Sequence, residues 1–434
     1  MAKNVLAAAV VAAIWSASAG ELLTGEAAAA KFPASLREMG LGTAKWMQLT
    51  NGVEYYYGRF SNMLGTVPGF TGSKNDLHMI RIDYKHAPVK MKFVDHTRTS
   101  EKKWTTSKTA AQHDALFAIN MTMEDGNGGP QGYVKVEGED VPSLRKTAPD
   151  GFAFNDDKTF KFDTGWLNVD PATGNPKADA WENVVSHEAY TIHDGVATWG
   201  ANATFPRANY TFFGTTADGV FWACAVDGRR EGVSEGLAYH EIAALQRELG
   251  CVEGVCCDGG GSTTMAIRKD LMTSGDICET QKTSADSSDY YTMNYLSGTQ
   301  KTLFGFTINI ERPGTERKVI NQLLFVADPD FAVHHQGKPG GAAGISFLGG
   351  FFSSGGAVKV EVCDVEGDCW YAIEKTTDLS QSFVIDESTW TKGSELAAGG
   401  KELLIARQEN EAQAFYRIVV SSAAPSAVPL SFSR

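Results

Sequence analysis

The stretch from Val220 to Ile267 constrains this chain more than any other, because it changes structural type several times at short intervals. Val220-Phe221-Trp222-Ala223-Cys224-Ala225-Val226 is an unbroken apolar run of strand length, ended by the turn pair Asp227-Gly228. Ser234 stands where a helix cap belongs, and Ala238, Ile242, Leu245 and Leu249 then recur on one face of a 3.6-residue period. Gly250 closes that helix. Val252 to Cys257 reads as a second strand, Asp258-Gly259-Gly260-Gly261-Ser262 as a tight turn, and Thr263 to Ile267 as a third strand. If the first two strands are parallel, their crossover is right-handed and their carboxyl ends share a sheet edge. Asp227 and Asp258 would then be near neighbours, where α/β sheets commonly place ligand sites.

Three glycines after a strand-end aspartate strip the β-carbons from the turn, so a ligand can approach its backbone amides. A nucleotide-binding P-loop is excluded, since it needs a lysine and a helix next, whereas Ser262-Thr263-Thr264 leads into a strand pattern. Taken alone, the turn also reads as a structural hairpin, and Asp227-Gly228 as a common turn pair.

Around this unit the texture is that of strands and turns. Val53 to Tyr57, Leu77 to Tyr84, Val89 to Val94 and Leu116 to Ile119 are short apolar or alternating runs bounded by Gly, Asn, Asp and Pro. Glu311-Arg312-Pro313-Gly314 closes the apolar run Leu303 to Ile310 and reads as a domain boundary. Six strand candidates follow, at Leu323–Val326, Val358–Val362, Trp370–Ile373, Phe383–Ile385, Leu403–Ala406 and Phe415–Val420, with no convincing helix. The expected fold is therefore α+β, with a large mixed sheet and a βαβ unit before the glycine turn, and a small all-β module at the C-terminal end. The expected division is 1–19, 20–49 as a lead-in, 50–315 as the catalytic domain and 316–434 as the β module.

Residues 1–19 read as a secretory signal, with Lys3, an apolar run from Val5 to Ile14, and Ala17-Ser18-Ala19 as a small-x-small cleavage pattern. That run is well short of the roughly 20 residues needed to span a bilayer, so stable membrane insertion is not expected. Export makes the seven cysteines candidates for disulfides, notably Cys363 with Cys369 across a hairpin-like turn. Cys224, Cys251, Cys256, Cys257 and Cys278 gather around the glycine motif without zinc spacing, which leaves bridging or plain burial. The formal charge of −13 argues against a general nucleic-acid binder, which needs a basic face, but not against a single phosphate site. Acidic turns at Asp156-Asp157 and Asp364–Asp368 offer oxygen ligands to Ca2+, although neither has a recognised ligand spacing.

Pro206-Arg207, Val226-Asp227-Gly228-Arg229, Gly232 through Ser234 to Gly236-Leu237, the helix end at Leu245 to Gly250, and Asp258 through Met265 form a spaced central block. In order and spacing that block resembles the phosphodiester glycosidase family. An upstream block, Ala118-Ile119-Asn120 with Gly129-Pro130-Gln131-Gly132, resembles that family's asparagine strand and Pro-x-Gly loop. Family members commonly carry Gly-Phe-Phe after the asparagine, where this chain has Met121-Thr122-Met123-Glu124. The resemblance implies a secreted hydrolase acting on sugar 1-phosphodiesters, with N-acetylglucosamine as one candidate sugar.

Such a reaction needs carboxylates at the anomeric carbon and cations at the phosphate. Asp258 and Asp227 suit the first role, Arg207 the second, and Asn120 would position sugar or water. The amides of Gly259, Gly260, Gly261 and Ser262 would add an anion-binding nest, and Thr263, Arg229 and Gly132 are further expected substrate-binding residues. Asn120 also begins an Asn-Met-Thr glycosylation pattern, repeated at Asn202 and Asn209, but a strand-end asparagine here is expected to be internal. Two rival readings keep the fold. One acts on unphosphorylated polysaccharide, as a glycosidase or transglycosylase, and the other binds surface glycans without cleaving them.

Overall fold

The computed structural model describes residues 21–328, apart from 126, 143–149, 187–188, 200–205, 273–276, 298–299, 304–305 and 310–312, and beyond 328 only backbone strands. The expected signal segment, Asn202 and the Cys363–Cys369 pair lie outside the described residues. No helix among the described residues is long and apolar enough to cross a membrane.

Among the described residues, three larger sheets build the main body, beside a two-stranded one formed by Gln300–Leu303 and Phe306–Asn309. The largest has nine strands, in the order Leu23–Thr24, Leu41–Thr50, Val53–Met63, Ser73–Asp83, Val220–Val226, Tyr210–Thr216, Cys251–Gly259, Ala189–His193 and Val196–Ala197. A six-stranded sheet runs Lys282–Thr283, Tyr290–Thr292, Met265–Arg268, Phe117–Asn120, Asn321–Ala327 and Val89–Asp95. The third has five strands and includes Gly151–Phe154 and Asn183–Ser186.

Alternation along the strands explains the layering. On Val220–Val226, Phe221, Ala223 and Ala225 enter the core shared with the other two sheets, while Val220, Trp222, Cys224 and Val226 face the opposite way. That second face is covered by Ile242, Ala244 and Leu245 of the helix Tyr239–Glu248, and by Ala28 and Leu36 of two short helices. Phe221 joins all three sheets, lying 5.8 Å from Phe213, 6.1 Å from Phe152 and 5.9 Å from Phe325 between ring centroids. Truncating so central a ring to alanine typically costs about 3–5 kcal/mol.

The architecture is α+β, as expected, but the sheet is not mixed: every described strand pairing is antiparallel. Val220–Val226 and Cys251–Gly259 do run parallel to each other, yet Tyr210–Thr216 lies between them and pairs antiparallel with both. The expected βαβ unit therefore has a strand inserted in it. Its helix starts later than Ser234, at Tyr239, where Glu241 accepts a hydrogen bond from the Ala238 backbone N–H at 2.8 Å. Ser234 instead donates its hydroxyl to the Asp227 carbonyl at 2.7 Å and accepts the Asp76 N–H at 3.0 Å.

The boundary also moves. Asn321–Ala327 is a full member of the six-stranded sheet, paired with Val89–Asp95 and Phe117–Asn120, and the division into two compact units falls after Ala327 rather than at 315. Beyond it, backbone strands form a four-stranded and a three-stranded sheet.

The five described cysteines are free thiols, four of them buried. Their strand positions account for this. Cys256 and Cys257 are consecutive and face opposite sides of the sheet, one in each core cluster. Cys224 and Cys251 pack as small apolar side chains among the residues under the helix. Of the two alternatives expected around the glycine motif, bridging and plain burial, the described thiols show burial, with Cys278 half-buried.

Candidate active site

The register places both strand-end aspartates at one sheet edge. Tyr210 pairs with Val226 on one side and Gly259 on the other, so Asp227 and Asp258 are separated by the width of one strand. At about 4.8 Å per strand step, their backbones lie roughly 10 Å apart. Their side chains meet different surroundings.

Asp258 opens onto a cleft with two lobes, of about 220 and about 230 Å³, which share Asp258, Met123 and Arg317. The first lobe also takes in Thr122, Glu124, Asp125, Ser262 and Lys318. The second is lined by Ala208, Tyr210, Arg229, Gly259, Gly260 and Gly261. Burial pushes the Asp258 carboxyl up to about 6, against the lowering effects of Ser262, the Gly259 amide and Arg317, while Glu124 adds to the rise.

Asn120 holds this edge together. It is fully buried, its Oδ1 accepting from Thr211 Oγ1 at 2.5 Å and Thr264 N at 3.0 Å, and its Nδ2 donating to the Asp258 carbonyl at 3.4 Å. It thus ties the six-stranded sheet to the nine-stranded one beside the cleft and positions Asp258 from beneath. It is internal, and so is Asn209, whose side chain donates to the Gly260 carbonyl and to Ser297 Oγ at 3.1 Å.

Two of the glycines are required by contact. A Cβ on Gly259 would lie 2.4 Å from the Tyr210 ring and 2.6 Å from the Asn209 carbonyl oxygen. Gly260 has φ +63°, and a Cβ there would meet the Arg229 guanidinium at 3.1 Å. The amides are used differently from the expected nest. Gly259 N–H donates to Asp258 Oδ1 at 2.7 Å and Gly260 N–H to the Asn209 carbonyl at 2.8 Å, so both serve the turn itself. Gly261 and Ser262 line the cleft. Thr263 is buried and lines neither lobe, its carbonyl accepting from Asn294 Nδ2 at 2.8 Å.

Asp227 is sealed. It is 0% exposed; Oδ1 accepts the Tyr295 N–H at 2.7 Å and lies 3.7 Å from His78 Nε2, while Oδ2 is 3.4 Å from Arg230 Nη1. Arg230 continues to the buried Asp76 at 2.8 Å, and Arg59 grips the same carboxylate with Nε at 2.8 Å and Nη2 at 2.9 Å. Asp227 lines neither lobe.

Arg207 is likewise engaged away from the cleft. Its Nε donates to Glu241 at 3.0 Å, its Nη1 to Glu235 at 2.8 Å and its Nη2 to the Thr71 carbonyl at 3.1 Å and to Glu241 at 2.5 Å. Its planar fork is taken by Glu241 in the first helical turn, by Glu235 ahead of the helix and by the Thr71 carbonyl, and it lines neither lobe. Gly132 has φ +124° and packs against Ser186 in the five-stranded sheet, outside both lobes.

The cations that do reach the cleft are Arg229, Arg317 and Lys318. Arg317 is not among the expected site residues, because the boundary read at Glu311-Arg312-Pro313-Gly314 assigns it to the C-terminal module. The structure anchors that segment through Glu316, which accepts Ser107 N–H at 2.8 Å and Ser107 Oγ at 2.5 Å at the start of the helix Thr106–Gln112. Glu124 stood out in the sequence only as a departure from the family pattern.

For metals, Asp157 spends Oδ1 on Thr159 N–H and Oγ1 at 2.9 and 2.6 Å, so that acidic turn closes on itself. Asp364–Asp368 lies outside the described residues. Among the described residues, one set of ligand atoms converges, on His193, Asp194 and Glu253, at the far end of Cys251–Gly259 from the cleft. Both Glu253 oxygens there already accept protein donors, Tyr190 Oη at 2.6 Å and Asp194 N–H at 3.0 Å.

Residues 113–297 match the family model described as phosphodiester glycosidase. No curated protein matches the chain. Among solved structures, a hypothetical protein from Synechocystis is similar at 13% identity and a TM-score of 0.45, over 65% of this chain and 63% of that one. The chain thus spans less than two thirds of that protein. The catalytic domain of zebrafish N-acetylglucosamine-1-phosphodiester alpha-N-acetylglucosaminidase, auto-inhibited by its pro-peptide, is similar at 15% identity and a TM-score of 0.44, over 63% of this chain and 83% of that one.

Proposed function

We propose, from the phosphodiester glycosidase domain that residues 113–297 carry, that this chain is an exported hydrolase cleaving the bond between a sugar's anomeric carbon and a phosphodiester oxygen. The observation that carries the reading is the placement of Asp258 where two lobes meet, with Arg317 beside it and Arg229 over the glycine turn. The phosphate belongs with Arg229 and Arg317 in the lobe lined by Gly259, Gly260 and Gly261, and the sugar in the lobe lined by Ser262 and Glu124.

The chemistry suits such a division. A departing phosphate monoester has a second pKa near 6 and leaves readily. The larger demands are holding its charge and stabilising an oxocarbenium-like centre. With its carboxyl pushed up to about 6, Asp258 carries a proton in mildly acidic solution and can pass it to the leaving oxygen. Asn120, beneath Asp258, acts as a positioning residue, and N-acetylglucosamine is the first sugar to test.

The test is release of phenyl phosphate from N-acetyl-α-glucosamine 1-(phenyl phosphate), set against release of phenol from the plain phenyl glycoside. Much faster turnover of the phosphodiester supports the proposal. Comparable rates would favour an ordinary glycosidase, a reading that Glu124 in the sugar lobe makes the second choice.

A further inference from the structure

We infer that Glu124 is the second catalytic carboxylate of this cleft, the base that takes a proton from the attacking water. The inference rests on the phosphodiester hydrolase reading and adds to it the direction of attack. Glu124 and Asp258 line the same lobe, and Asp258 alone of the two also lines the lobe of Arg229 and the glycine turn. Asp258 therefore stands between Glu124 and the lobe of Arg229 and the glycine turn. A sugar phosphate bound with its phosphate at Arg229 has Asp258 near the bridging oxygen and Glu124 on the sugar's side.

The loop that presents Glu124 is built to hold it. Asp125 N–H donates to the Gly129 carbonyl at 2.8 Å and Gln131 N–H to the Met123 carbonyl at 2.7 Å. Asp125 Oδ1 accepts the N–H groups of Asn127 at 2.8 Å and Gly129 at 3.0 Å, closing the turn beneath. Lys103 Nζ meets the Glu124 carboxylate at 2.5 Å from the rim, and Lys103 precedes Trp104, which bridges to Val319 on the Arg317 segment. Glu124 stays 32% exposed, so water reaches it. Asp227, with its oxygens engaged inside the protein, has no such access.

The step balances. A water O–H bond breaks, the proton passes to Glu124, and the water oxygen bonds to the anomeric carbon. The bond from that carbon to the phosphate oxygen breaks with its electron pair on oxygen, which takes the Asp258 proton. The products are the free sugar and a phosphate monoester. Attack from the side away from the phosphate inverts the anomeric centre, so an α-linked substrate releases the β-sugar first.

The experiment uses the full chain and a panel of α-sugar 1-(phenyl phosphates), with rates by phenyl phosphate release and the first anomer by proton NMR. Glu124→Gln should lower kcat on the order of 10²–10⁴-fold with KM within a few-fold. In Glu124→Ala, added azide should restore turnover and yield the β-glycosyl azide. Calorimetric titration with phenyl phosphate should give wild-type affinity in both variants, showing an intact cleft. Undiminished kcat in Glu124→Gln, α-sugar as first product, or lost phenyl phosphate binding without azide rescue would each overturn the assignment. A wild type inert toward the whole panel would instead sink the hydrolase reading itself.

Discussion

Asp227 and Asp258 begin as twins: each follows an apolar strand, each precedes glycine, and their strands run the same way to the same sheet edge. What separates them is what packs over the edge. Above Asp227 the chain lays Tyr295, Arg230 and His78, so that its carboxylate becomes part of a buried ion cluster with Asp76 and Arg59. Above Asp258 there is the cleft, and its charge is opposed only in part, by Arg317 and by hydrogen bonds from Ser262 and Gly259. A strand-end Asp-Gly pair therefore reports where the backbone turns, while the tertiary cover decides between structural ion and reactive acid.

The sharpest test of that division is a matched pair of substitutions. Asp258→Asn should lower kcat on the order of 10²–10⁴-fold while leaving the urea-unfolding midpoint near or above wild type, since it removes a poorly solvated carboxylate. Asp227→Ala should do the reverse. Removing Asp227 leaves the Tyr295 N–H without its acceptor, while Arg230 keeps Asp76, and unfolding free energy should fall by about 1–3 kcal/mol in urea titrations. Full stability in Asp227→Ala together with lost turnover would merge the two sites into one.

The pH profile distinguishes them again. Asp258 has a folded-state carboxyl raised to about 6 from 3.8, so between those values the folded protein binds more protons than the unfolded chain. Stability therefore falls as pH rises through that window, and Asp258→Asn should flatten the slope. The groups facing this carboxyl are Glu124, Arg317 and Ser262, none of which leaves with the substitution. As the acid of the proposed reaction, Asp258 should also give kcat/KM a descending limb near pH 6.

Much of this region was legible in the sequence because it is local. The apolar run to Val226, the period of Ile242, Leu245 and Leu249, and the glycine turn each depend on neighbours in the chain, and the structure keeps all three. The inserted strand Tyr210–Thr216 was not, since no local pattern reveals that a segment threads between two others. Arg317 was hidden for a similar reason: its place is set by Glu316 reaching Ser107, a contact more than two hundred residues apart. Arg207 marks the limit of a local motif, because an arginine after proline fits a phosphate clamp and an ion pair near a helix start equally well.

The cations carry the last two expectations. Arg229→Ala removes a charged partner at Gly260 and should weaken phenyl phosphate binding by about 10- to 100-fold, the scale of one or two charge-assisted hydrogen bonds, read by calorimetry. Arg207→Ala should have the smallest effect on turnover, within a few-fold of wild type. Its guanidinium is occupied by Glu235, Glu241 and the Thr71 carbonyl, and it lies on the covered side of the sheet edge rather than in either lobe. What it supports is the start of the helix Tyr239–Glu248, where Glu241 must both hold Arg207 and accept the Ala238 amide. Losing Arg207 should cost stability of about 1–2 kcal/mol after allowance for its partial exposure, seen as a lower melting midpoint. A large drop in kcat at unchanged stability would return Arg207 to the phosphate and make Asp227, its companion in the family pattern, a catalytic carboxylate after all.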